Sequence, residues 1–408
     1  MSRLEQLIAK FCPDGVEYLP LAKVLDYLQP TPYIVKSTDY SDSYSTPVLT
    51  AGASFFLGFT AEKDGIYQAS KEKPVIIFDD FTTSFHWVDF DFKVKSSALK
   101  ILTEVEPRQA LLRFIFYSMQ CITYQPSQHA RQWIQTYSNI NIPIPPLPVQ
   151  EEIVRILDTF TALEAELEAE LEARTKQYEY YRNDLLNFDP ESQQSQSRLT
   201  GLNHLIQTLC PDGIKIGKIQ DICVRVCSGG TPTASRSEYY GGNIPWLRTQ
   251  EVDYRDIWDT EIKITDQGFA NSSASWIPEN CVIVAMYGAS AARVAINKIP
   301  LTTNQACCNL EINQEKANYR YVYHWLVNQY EKLKSLSEGA QPNLNAGKVK
   351  NYPIPLPPLP VQEEIVALLD RFDALVNDLK NGLPAEIALR RKQYEYYRDK
   401  LLTFQPLP

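Results

Sequence analysis

The heptapeptide KQYEYYR occurs twice in this chain, at residues 176–182 and again at residues 392–398. The decapeptide PPLPVQEEIV also occurs twice, at residues 145–154 and 357–366. Segments that recur in the same order indicate two copies of one structural unit, which limits the possible folds more than any other feature of the sequence. We therefore expect a pseudo-twofold internal repeat.

A third pair of similar segments lies upstream, with FCPDG beginning at Phe11 and LCPDG at Leu209. Between the repeated pieces, residues 30–140 and 228–350 show no similarity to each other. A shared scaffold with divergent inserts predicts two modules that are built alike but recognise different things. The predicted segments are a first domain at 1–141, a central helix at 142–190, a linker at 191–200, a second domain at 201–351 and a C-terminal helix at 352–408.

The segments that follow the proline clusters are predicted to form long helices. In the first copy, residues 149–186 would form a rod of about 57 Å at about 1.5 Å per residue. The tract LEAELEAELEAR at 163–174 repeats every four residues, so its leucine stripe drifts around the helix and requires a partner helix. In the second copy, NGLP at 381–384 predicts an interruption, because glycine ends helices and proline begins them.

Charge and cysteine content exclude several classes of protein. The formal net charge of −9 argues at first sight against a nucleic-acid partner, but five Glu lie in the tract 163–174, on a solvated helix face. No run of eighteen apolar residues predicts a membrane span, and the N-terminus MSRLEQLIAKF lacks the apolar core of a signal peptide. The eight Cys form no CxxC pair, which favours reduced structural thiols in a cytoplasmic protein over a zinc site.

Both inserts contain short apolar runs bounded by turn residues. PVIIFDDF at 74–81 and CVIVAMYG at 281–288 predict buried strands. Polar loops with Gly, Ser, Arg, Lys and amide residues follow these runs. Such loops are usually mere connections, but on a rigid scaffold their side chains can hydrogen-bond to base edges and phosphates.

This order of segments, with PPLPVQEEIV and KQYEYYR each present twice, resembles the specificity subunit of a type I restriction-modification enzyme. The stretches PVIIFDDFTTSFHWVDFDFKVKSSALKIL, SGGTPTASRSEYYGGNIPWLRTQEV and TNQACCNL support the resemblance, which covers essentially the whole chain. It implies an α+β fold in which two mixed α/β target recognition domains are joined by two long antiparallel helices that form a coiled-coil spacer.

The resemblance also implies a function for each part. The chain would be a non-catalytic, cytoplasmic subunit whose domains each read one half of a bipartite, asymmetric site in double-stranded DNA. The helices would set the gap between the half-sites and dock two methyltransferase subunits, and restriction subunits would complete the complex. The chain itself would hold no cofactor and no metal. S-adenosylmethionine, ATP and Mg²⁺ are expected on the partner subunits, which would carry adenine-N6 methylation and ATP-dependent cleavage.

The candidate DNA-contacting residues lie on the predicted polar loops. In the first insert they are Thr50, Gly52, Ser54, Lys71, Lys73, Ser84, His86, Arg131 and Gln132. In the second insert they are Ser228, Gly229, Thr231, Arg236, Arg248, Thr249, Gln250, Arg293, Asn304, Gln305, Asn343 and Asn345. Helix packing or partner docking is predicted for Leu163, Leu167, Leu171, Tyr178, Tyr181, Tyr394 and Tyr397, and also for Tyr180 and Tyr396; stacking of the tyrosines on bases is the alternative.

Two other classes of function fit parts of the sequence. Asp79 and Asp80, followed by Asp91 and Lys93, superficially match the acidic residues and lysine of a metal-dependent nuclease. The alternative is that these carboxylates lie at strand ends or in loops and accept backbone N–H groups. A purely structural coiled coil explains the helices but not the inserts. Neither a methyltransferase motif nor a GxxxxGK[ST] loop is present, so binding of S-adenosylmethionine or ATP is not expected.

Overall fold

The computed structural model describes residues 2–52, 54–105, 109–126, 130–188, 200–337, 343–378 and 381–408. The predicted linker at 191–200 lies, apart from its last residue, outside the described residues. The chain forms two compact units: Met1–Glu168 with Glu386–Pro408, and Ala169–Ala385. Each unit therefore combines one insert with the heptapeptide copy that belongs, along the chain, to the other half.

The described chain mixes helices and strands, as an α+β fold requires. The helices are α1 (Arg3–Phe11), α2 (Leu112–Gln120), α3 (Leu147–Leu186), α4 (Thr200–Leu209), α5 (Asp266–Ala270), α6 (Tyr319–Asn328), α7 (Tyr330–Ser335), α8 (Ala346–Lys350), α9 (Leu359–Asn377) and α10 (Leu383–Leu401). The strands are β1 (Glu17–Pro20), β2 (Leu25–Leu28), β3 (Thr46–Leu49), β4 (Phe56–Thr60), β5 (Val75–Asp79), β6 (Phe85–Val88), β7 (Lys93–Val94), β8 (Leu99–Glu104), β9 (Asn141–Ile144), β10 (Ile216–Lys218), β11 (Cys223–Ser228), β12 (Tyr240–Leu247), β13 (Asp256–Ile257), β14 (Lys263–Ile264), β15 (Trp276–Ile277), β16 (Val282–Ala285), β17 (Val294–Asn297), β18 (Leu301–Thr303), β19 (Cys307–Ile312) and β20 (Pro353–Pro355).

In the first unit, two sheets and helix α2 form a layered core. The larger sheet is antiparallel with the order β2-β8-β5-β6, and the smaller has the order β4-β3-β7. Strand β5 is buried along its whole length. Because side chains alternate along a strand, Ile76 and Phe78 pack on the side of α2, whereas Val75 and Ile77 pack against the smaller sheet. This confirms the buried strand predicted within PVIIFDDF.

The second unit repeats this plan with other residues. Its two larger sheets have the orders β11-β19-β16-β17-β13 and β14-β12-β18-β15. Strand β16 is fully buried, as predicted. Val282 and Val284 pack on the side of α6, and Ile283 and Ala285 pack on the side of β12 and β18. The smaller sheet of each unit also contains one parallel pair, β3 with β7 and β12 with β18. The inserts thus share a strand arrangement without sharing a sequence.

The repeated decapeptide makes the same joint in both units. Gln150 is fully buried; its Oε1 accepts the N–H of Leu111 at 2.9 Å, and its Nε2 donates to the carbonyl of Pro145 at 2.7 Å. Gln362 repeats both bonds at the same distances, with the N–H of Asn318 and the carbonyl of the proline five residues before it. Each glutamine therefore ties the start of the insert's helix, α2 or α6, to the proline cluster, which accounts for its repetition.

The second heptapeptide copy packs onto the first insert. Tyr394 is buried; its hydroxyl donates to Oε1 of Gln120 at 2.5 Å, and its ring meets that of Tyr117 edge-on. Tyr397 stacks on Phe160 with ring centroids 5.5 Å apart. The C-terminal helix of the chain thus completes the core of the N-terminal insert.

The first heptapeptide copy packs in the same way within the second unit. Tyr178 is buried, with its hydroxyl 3.4 Å from Oδ1 of Asp373, and Tyr181 stacks on Phe372 at 5.3 Å. Tyr178 and Tyr394 are therefore buried by contacts within their own units, and partner docking by the heptapeptides stays a prediction. The remaining tyrosines of the repeats, Tyr180 and Tyr396, are 55% and 61% exposed.

Helices α3 and α10 run antiparallel in the first unit. Phe160 of α3 meets Tyr397 near the end of α10, whereas Glu164, one turn further along α3, pairs at 2.6 Å with Arg391, which lies six residues before Tyr397. This confirms the predicted antiparallel pairing. The leucines of the tetrapeptide tract are half-buried: Leu163, Leu167 and Leu171. Of these, Leu171 packs against the core of the second unit.

The two long helical segments differ in continuity. Helix α3 has 40 residues, which corresponds to about 60 Å. The second segment is broken between α9 and α10, where the N–H of Gly382 donates to the carbonyl of Asp378 at 2.9 Å. A side chain at Gly382 would lie 2.7 Å from the carbonyl oxygens of Ala374 and Asp378, and Pro384 is the second residue of α10. The interruption predicted from NGLP is confirmed. Among the described helices, none is long and apolar enough to cross a membrane.

Candidate nucleic-acid interface

Three polar loops of the first unit meet at the end of strand β5. The N–H of Gly52 donates to Oδ2 of Asp79 at 3.0 Å, and the N–H of Gln132 donates to the carbonyl of Asp80 at 2.8 Å. These bonds join segments that are up to 80 residues apart in the chain. We call the resulting surface the first loop surface; it consists of residues 50–52, 54–55, 80–86 and 130–133.

Asp79 and Asp80 organise this surface from within. Oδ1 of Asp79 accepts the N–H of Phe81 at 3.0 Å. Oδ1 of Asp80 accepts the N–H groups of Gln132 at 3.1 Å and Trp133 at 2.8 Å. Both carboxylates are buried, and their bonds to backbone N–H groups confirm the structural interpretation of these residues.

An ion pair fixes Asp80 in turn. Nζ of Lys100 lies 3.1 Å from Oδ2 of Asp80, and the side chains are 0% and 1% exposed. Arg131, which is 48% exposed, approaches the same oxygen at 3.6 Å, and its guanidinium lies 5.9 Å from the ring of Phe81. Asp80 therefore holds the 130–133 loop and orients Arg131 at the surface.

The nuclease interpretation is not supported by the position of Lys93. Its side chain is buried, and Nζ donates to the carbonyls of Asp64 at 2.6 Å and Gly65 at 3.1 Å while pairing with Glu62 at 3.1 Å. Lys93 is therefore committed to the fold and is not free to assist an attacking water. Across the described ranges, no group of three or more His, Cys, Asp or Glu side chains is arranged to hold a metal ion.

The other predicted residues of this surface are polar groups at its rim. The ring of His86 stacks on Phe55 at 3.9 Å. Burial lowers the pKa of His86, which favours the neutral ring with one donor and one acceptor. The Ser84 hydroxyl shares a hydrogen bond of 2.8 Å with that of Thr82. The predicted residues that the structure brings together here are Thr50, Gly52, Ser54, Ser84, His86, Arg131 and Gln132.

Two predicted residues lie elsewhere. Lys71 and Lys73 are exposed and belong to the turn that precedes β5, whereas the first loop surface lies where β5 ends. Their contact with DNA stays a prediction. Two residues that the sequence did not single out, Phe56 and Leu57, are 47% and 39% exposed directly after Phe55. Both residues belong to β4, whose sequence is that of an ordinary apolar strand, so no sequence pattern marks them as exposed.

The second unit contains an open groove of about 1080 Å³, which we call the polar groove. The backbone holds two of its walls together, since Tyr287 and Asn343 form an isolated antiparallel bridge and the N–H of Leu344 donates to the carbonyl of Met286 at 2.8 Å. The predicted residues that line the groove are Thr249, Gln250, Arg293, Asn343 and Asn345.

The polar groove and the first loop surface are built on equivalent elements. Strand β5 lies between β8 and β6, and strand β16 lies between β19 and β17. At the end of each strand, a carbonyl accepts an N–H from the segment that follows the insert's helix: Asp80 from Gln132, and Met286 from Leu344, both at 2.8 Å. The loops after β3 and β12 complete the two surfaces. The same three connections therefore carry the candidate residues that lie on the first loop surface and in the polar groove.

Other predicted residues of the second insert form a tight cluster. Gly229 is buried against Thr303, where a Cβ atom would collide with the carbonyl oxygen. The Thr231 hydroxyl hydrogen-bonds to Gln305, and Oδ1 of Asn304 accepts the N–H two residues ahead at 3.2 Å. Gly229 thus serves close packing. The exposed members of this cluster are Ser228, Thr231 and Gln305.

The predicted arginines of the second insert each pair with a carboxylate. The pairs are Arg236 with Glu238 at 3.3 Å, Arg248 with Glu261 at 2.9 Å and Arg293 with Asp253 at 2.7 Å. Of these three arginines, Arg293 lines the polar groove. Each of these arginines therefore has a carboxylate beside it, which contributes to the negative net charge and orients the guanidinium as a hydrogen-bond donor.

The hairpin between β16 and β17 adds two residues to this site that the sequence did not single out. Tyr287, which is 42% exposed, and Ser290 line the polar groove. Gly288 and Ala292 have φ values of +76° and +70°, so the hairpin turns back sharply at both positions. Within the run YGASAAR, the sequence predicts Arg293 as a DNA contact, whereas Tyr287 and Gly288 are predicted only as the end of the buried strand at 281–288.

Comparison with known proteins identifies one family. A family model described as "Type I restriction modification DNA specificity domain" matches residues 13–173 and 211–389. The chain is 40% identical over 422 residues to the Type I restriction enzyme EcoR124I/EcoR124II specificity subunit of Escherichia coli, covering 99% of this chain and 97% of that protein. It is 31% identical over 204 residues to the Type I restriction enzyme MjaIX specificity subunit of Methanocaldococcus jannaschii, covering 48% and 45%.

Solved structures show the same architecture. The S subunit of a type I restriction-modification system from M. genitalium matches with a TM-score of 0.59 at 13% identity, covering 95% of this chain and 96% of that one. A chain from a structure concerned with complex assembly and conformational transition of the type I R-M system matches with a TM-score of 0.54 at 17% identity, covering 96% and 98%. At these identities, the likeness establishes the fold.

Proposed function

This chain belongs to the family of type I restriction-modification DNA specificity subunits, and from that premise we propose that its two units each read one half of a bipartite, asymmetric site in double-stranded DNA. The observation that carries the proposal is the construction of the same three-loop surface twice, on inserts of unrelated sequence. Shared topology with different exposed residues is what two readers of different half-sites require.

The chemistry of both surfaces suits base recognition. Asn and Gln pair with adenine edges and Arg with guanine edges through bidentate hydrogen bonds in the major groove. The first loop surface offers Arg131 and His86, and the polar groove offers Gln250, Asn343 and Arg293. Their loops are fixed to strand ends by buried hydrogen bonds, and such preorganisation reduces the entropy lost on binding.

The long helices fit the role of a spacer. Readers that approach one face of B-DNA must lie about one helical turn apart, about 34–36 Å, or a multiple of it. Helix α3, at about 60 Å, is long enough to set such a separation. The gap between the half-sites would then depend on the length of the tetrapeptide tract 163–174.

Docking of two methyltransferase subunits is the second part of the proposal. Tyr180 and Tyr396 occupy the same position of the two heptapeptides, and both are more than half exposed. Packing within this chain does not require identity at exposed positions, so the repetition favours two copies of one partner. In this proposal the chain is non-catalytic, S-adenosylmethionine, ATP and Mg²⁺ belong to the partner subunits, and restriction subunits join the same assembly.

The test is to map methylated adenines genome-wide, by long-read sequencing, in a host that expresses this chain with its cognate methyltransferase subunit. A single bipartite motif with a fixed, unspecified gap is expected. The variant Arg131→Ala should relax one half of the motif, and the double variant Asn343→Ala with Asn345→Ala should relax the other. Methylation that persists unchanged when this chain is deleted would contradict the proposal.

A further inference from the structure

Both backbone groups of Arg293 are hydrogen-bonded. It precedes strand β17, where its N–H donates to the carbonyl of Ser290 and its carbonyl accepts the N–H of Ala285, both at 2.9 Å. The preceding residue, Ala292, has a φ of +70°. A non-glycine residue in this region is strained, and such strain concentrates at functional sites. The position from which Arg293 enters the polar groove is therefore set by the β16–β17 hairpin.

The side chain of Arg293 is fixed as well. Its Nη1 donates to Oδ1 of Asp253 at 2.7 Å, and its guanidinium lies 6.0 Å from the ring of Tyr254. Tyr254 also has a positive φ, +53°. It is held by its own N–H, which donates to Val294 at 2.9 Å, and by its carbonyl, which accepts the hydroxyl of Tyr323 at 2.8 Å. A carboxylate and an aromatic ring thus orient the guanidinium of a side chain that remains 37% exposed.

The charge at this position favours a base over a phosphate. A carboxylate 2.7 Å from the guanidinium offsets part of the positive charge that a phosphate would attract, and its own negative charge repels the DNA backbone. The other N–H groups of the guanidinium remain available to a base, because Asp253 uses one of the five. An arginine that is oriented by, and paired with, a carboxylate therefore suits bidentate donation to N7 and O6 of guanine.

We propose that Arg293 reads a guanine in the half-site recognised by the second unit, and that Asp253 is the positioning residue for this contact. The inference rests on the proposed function. Around Arg293, the groove presents Gln250, Asn343 and the exposed ring of Tyr287, which are suited to contact the neighbouring base pairs.

The experiment uses the complex with the cognate methyltransferase subunits and begins with the motif of the wild-type complex. In Arg293→Ala, we expect one position of one half-site to lose its requirement for guanine, with affinity for the original site lowered about 5- to 150-fold. Replacing that guanine with 7-deazaguanine, which lacks the N7 acceptor, should weaken the wild type and leave Arg293→Ala unchanged.

The matched variants separate charge from geometry. Arg293→Lys keeps the charge but not the planar fork, so it should restore guanine discrimination only in part. Asp253→Asn should relax the same position as Arg293→Ala, by a smaller factor. Asp259→Asn is the control, because Asp259 is an exposed carboxylate of the same segment that pairs with Lys263 instead; its motif should be that of the wild type.

The outcomes that overturn the inference differ from those that overturn the proposed function. If Arg293→Ala weakens all sequences equally, lowers the salt slope by about one and is fully rescued by Arg293→Lys, then Arg293 binds phosphate. A half-site without guanine on either strand, or equal motifs for Asp253→Asn and Asp259→Asn, also overturns the inference while leaving the bipartite reading intact. A wild-type complex without any bipartite motif overturns both.

Discussion

The variant Asp80→Asn tests how the first loop surface is held. Asparagine keeps an oxygen for the N–H groups of Gln132 and Trp133 but removes the charge that faces Lys100. The ammonium of Lys100, whose side chain is fully buried 3.1 Å from Asp80, would then lack its counter-ion. The substitution is therefore expected to destabilise the first unit and, with it, the 130–133 loop.

The expected size of the effect follows from the burial of both groups. Removing one partner of a buried ion pair costs about 3–5 kcal/mol, because the other charge is left without compensation. This corresponds to an increase of about 150- to 5000-fold in the equilibrium constant for opening. The double variant Asp80→Asn with Lys100→Met removes both charges and should recover most of this loss, since apolar replacement of a buried pair is often neutral.

Hydrogen exchange followed by mass spectrometry is the appropriate assay, because it reports on each unit separately. Peptides from β8 and from residues 130–140 should exchange faster in Asp80→Asn. Peptides from β16 in the second unit serve as the internal control and should not change. In the complex, the same variant should relax the half-site read by the first unit and leave the other half-site as it is.

Two results would refute this reasoning. Exchange of the first unit within about threefold of the wild type, far below the change expected from the cost of an unpaired buried charge, would show that Lys100 finds another partner. Equal destabilisation of the single and the double variant would show that the loss stems from packing and not from charge.

Three further predictions concern the helices and their joints. Deleting residues 163–166 shortens α3 by about 6 Å, so the mapped motif should keep both half-sites with a shorter gap; an unchanged gap would contradict the spacer role. Replacing Tyr180 and Tyr396 together with Ala should weaken co-purification of the methyltransferase without lowering the melting temperature, whereas Tyr394→Ala should lower the stability of the first unit by about 3–5 kcal/mol. Burial lowers the pKa of His324 below its ordinary value of 6.5, so the unfolded chain binds the extra proton and the second unit should lose stability as pH falls below about 6.5; His324→Gln should flatten this dependence in the pH-dependent exchange of β16 peptides.

Much of the architecture could be predicted because it is encoded in contiguous residues. The break at Gly382 and Pro384 follows from backbone properties of single residues, and the helices and buried strands follow from periodicity. The packing of Tyr178 and Tyr394 followed from their repetition. What repetition alone did not reveal is that each heptapeptide completes the unit formed by the other insert.

The candidate residues could be predicted only as loop positions. Lys71 and Ser84 look equally suitable in the sequence, yet they lie at opposite ends of β5. The partners of the arginines were also out of reach, because Asp253 and Arg293 are 40 residues apart and no local pattern joins them. Tyr287 was overlooked because a tyrosine at the end of an apolar run has no signature of its own.

The internal repeat, the long helices, the buried strands and the family follow from the amino-acid sequence alone, since each depends on local periodicity or on recurring segments. Which loops meet, which carboxylates orient the arginines and which heptapeptide completes which insert became clear only from the folded chain. The physical reason is that these features depend on strand order and on hydrogen bonds between residues far apart in the chain, such as Gln132 with Asp80 and Leu344 with Met286. Such contacts form only when the sheets are assembled.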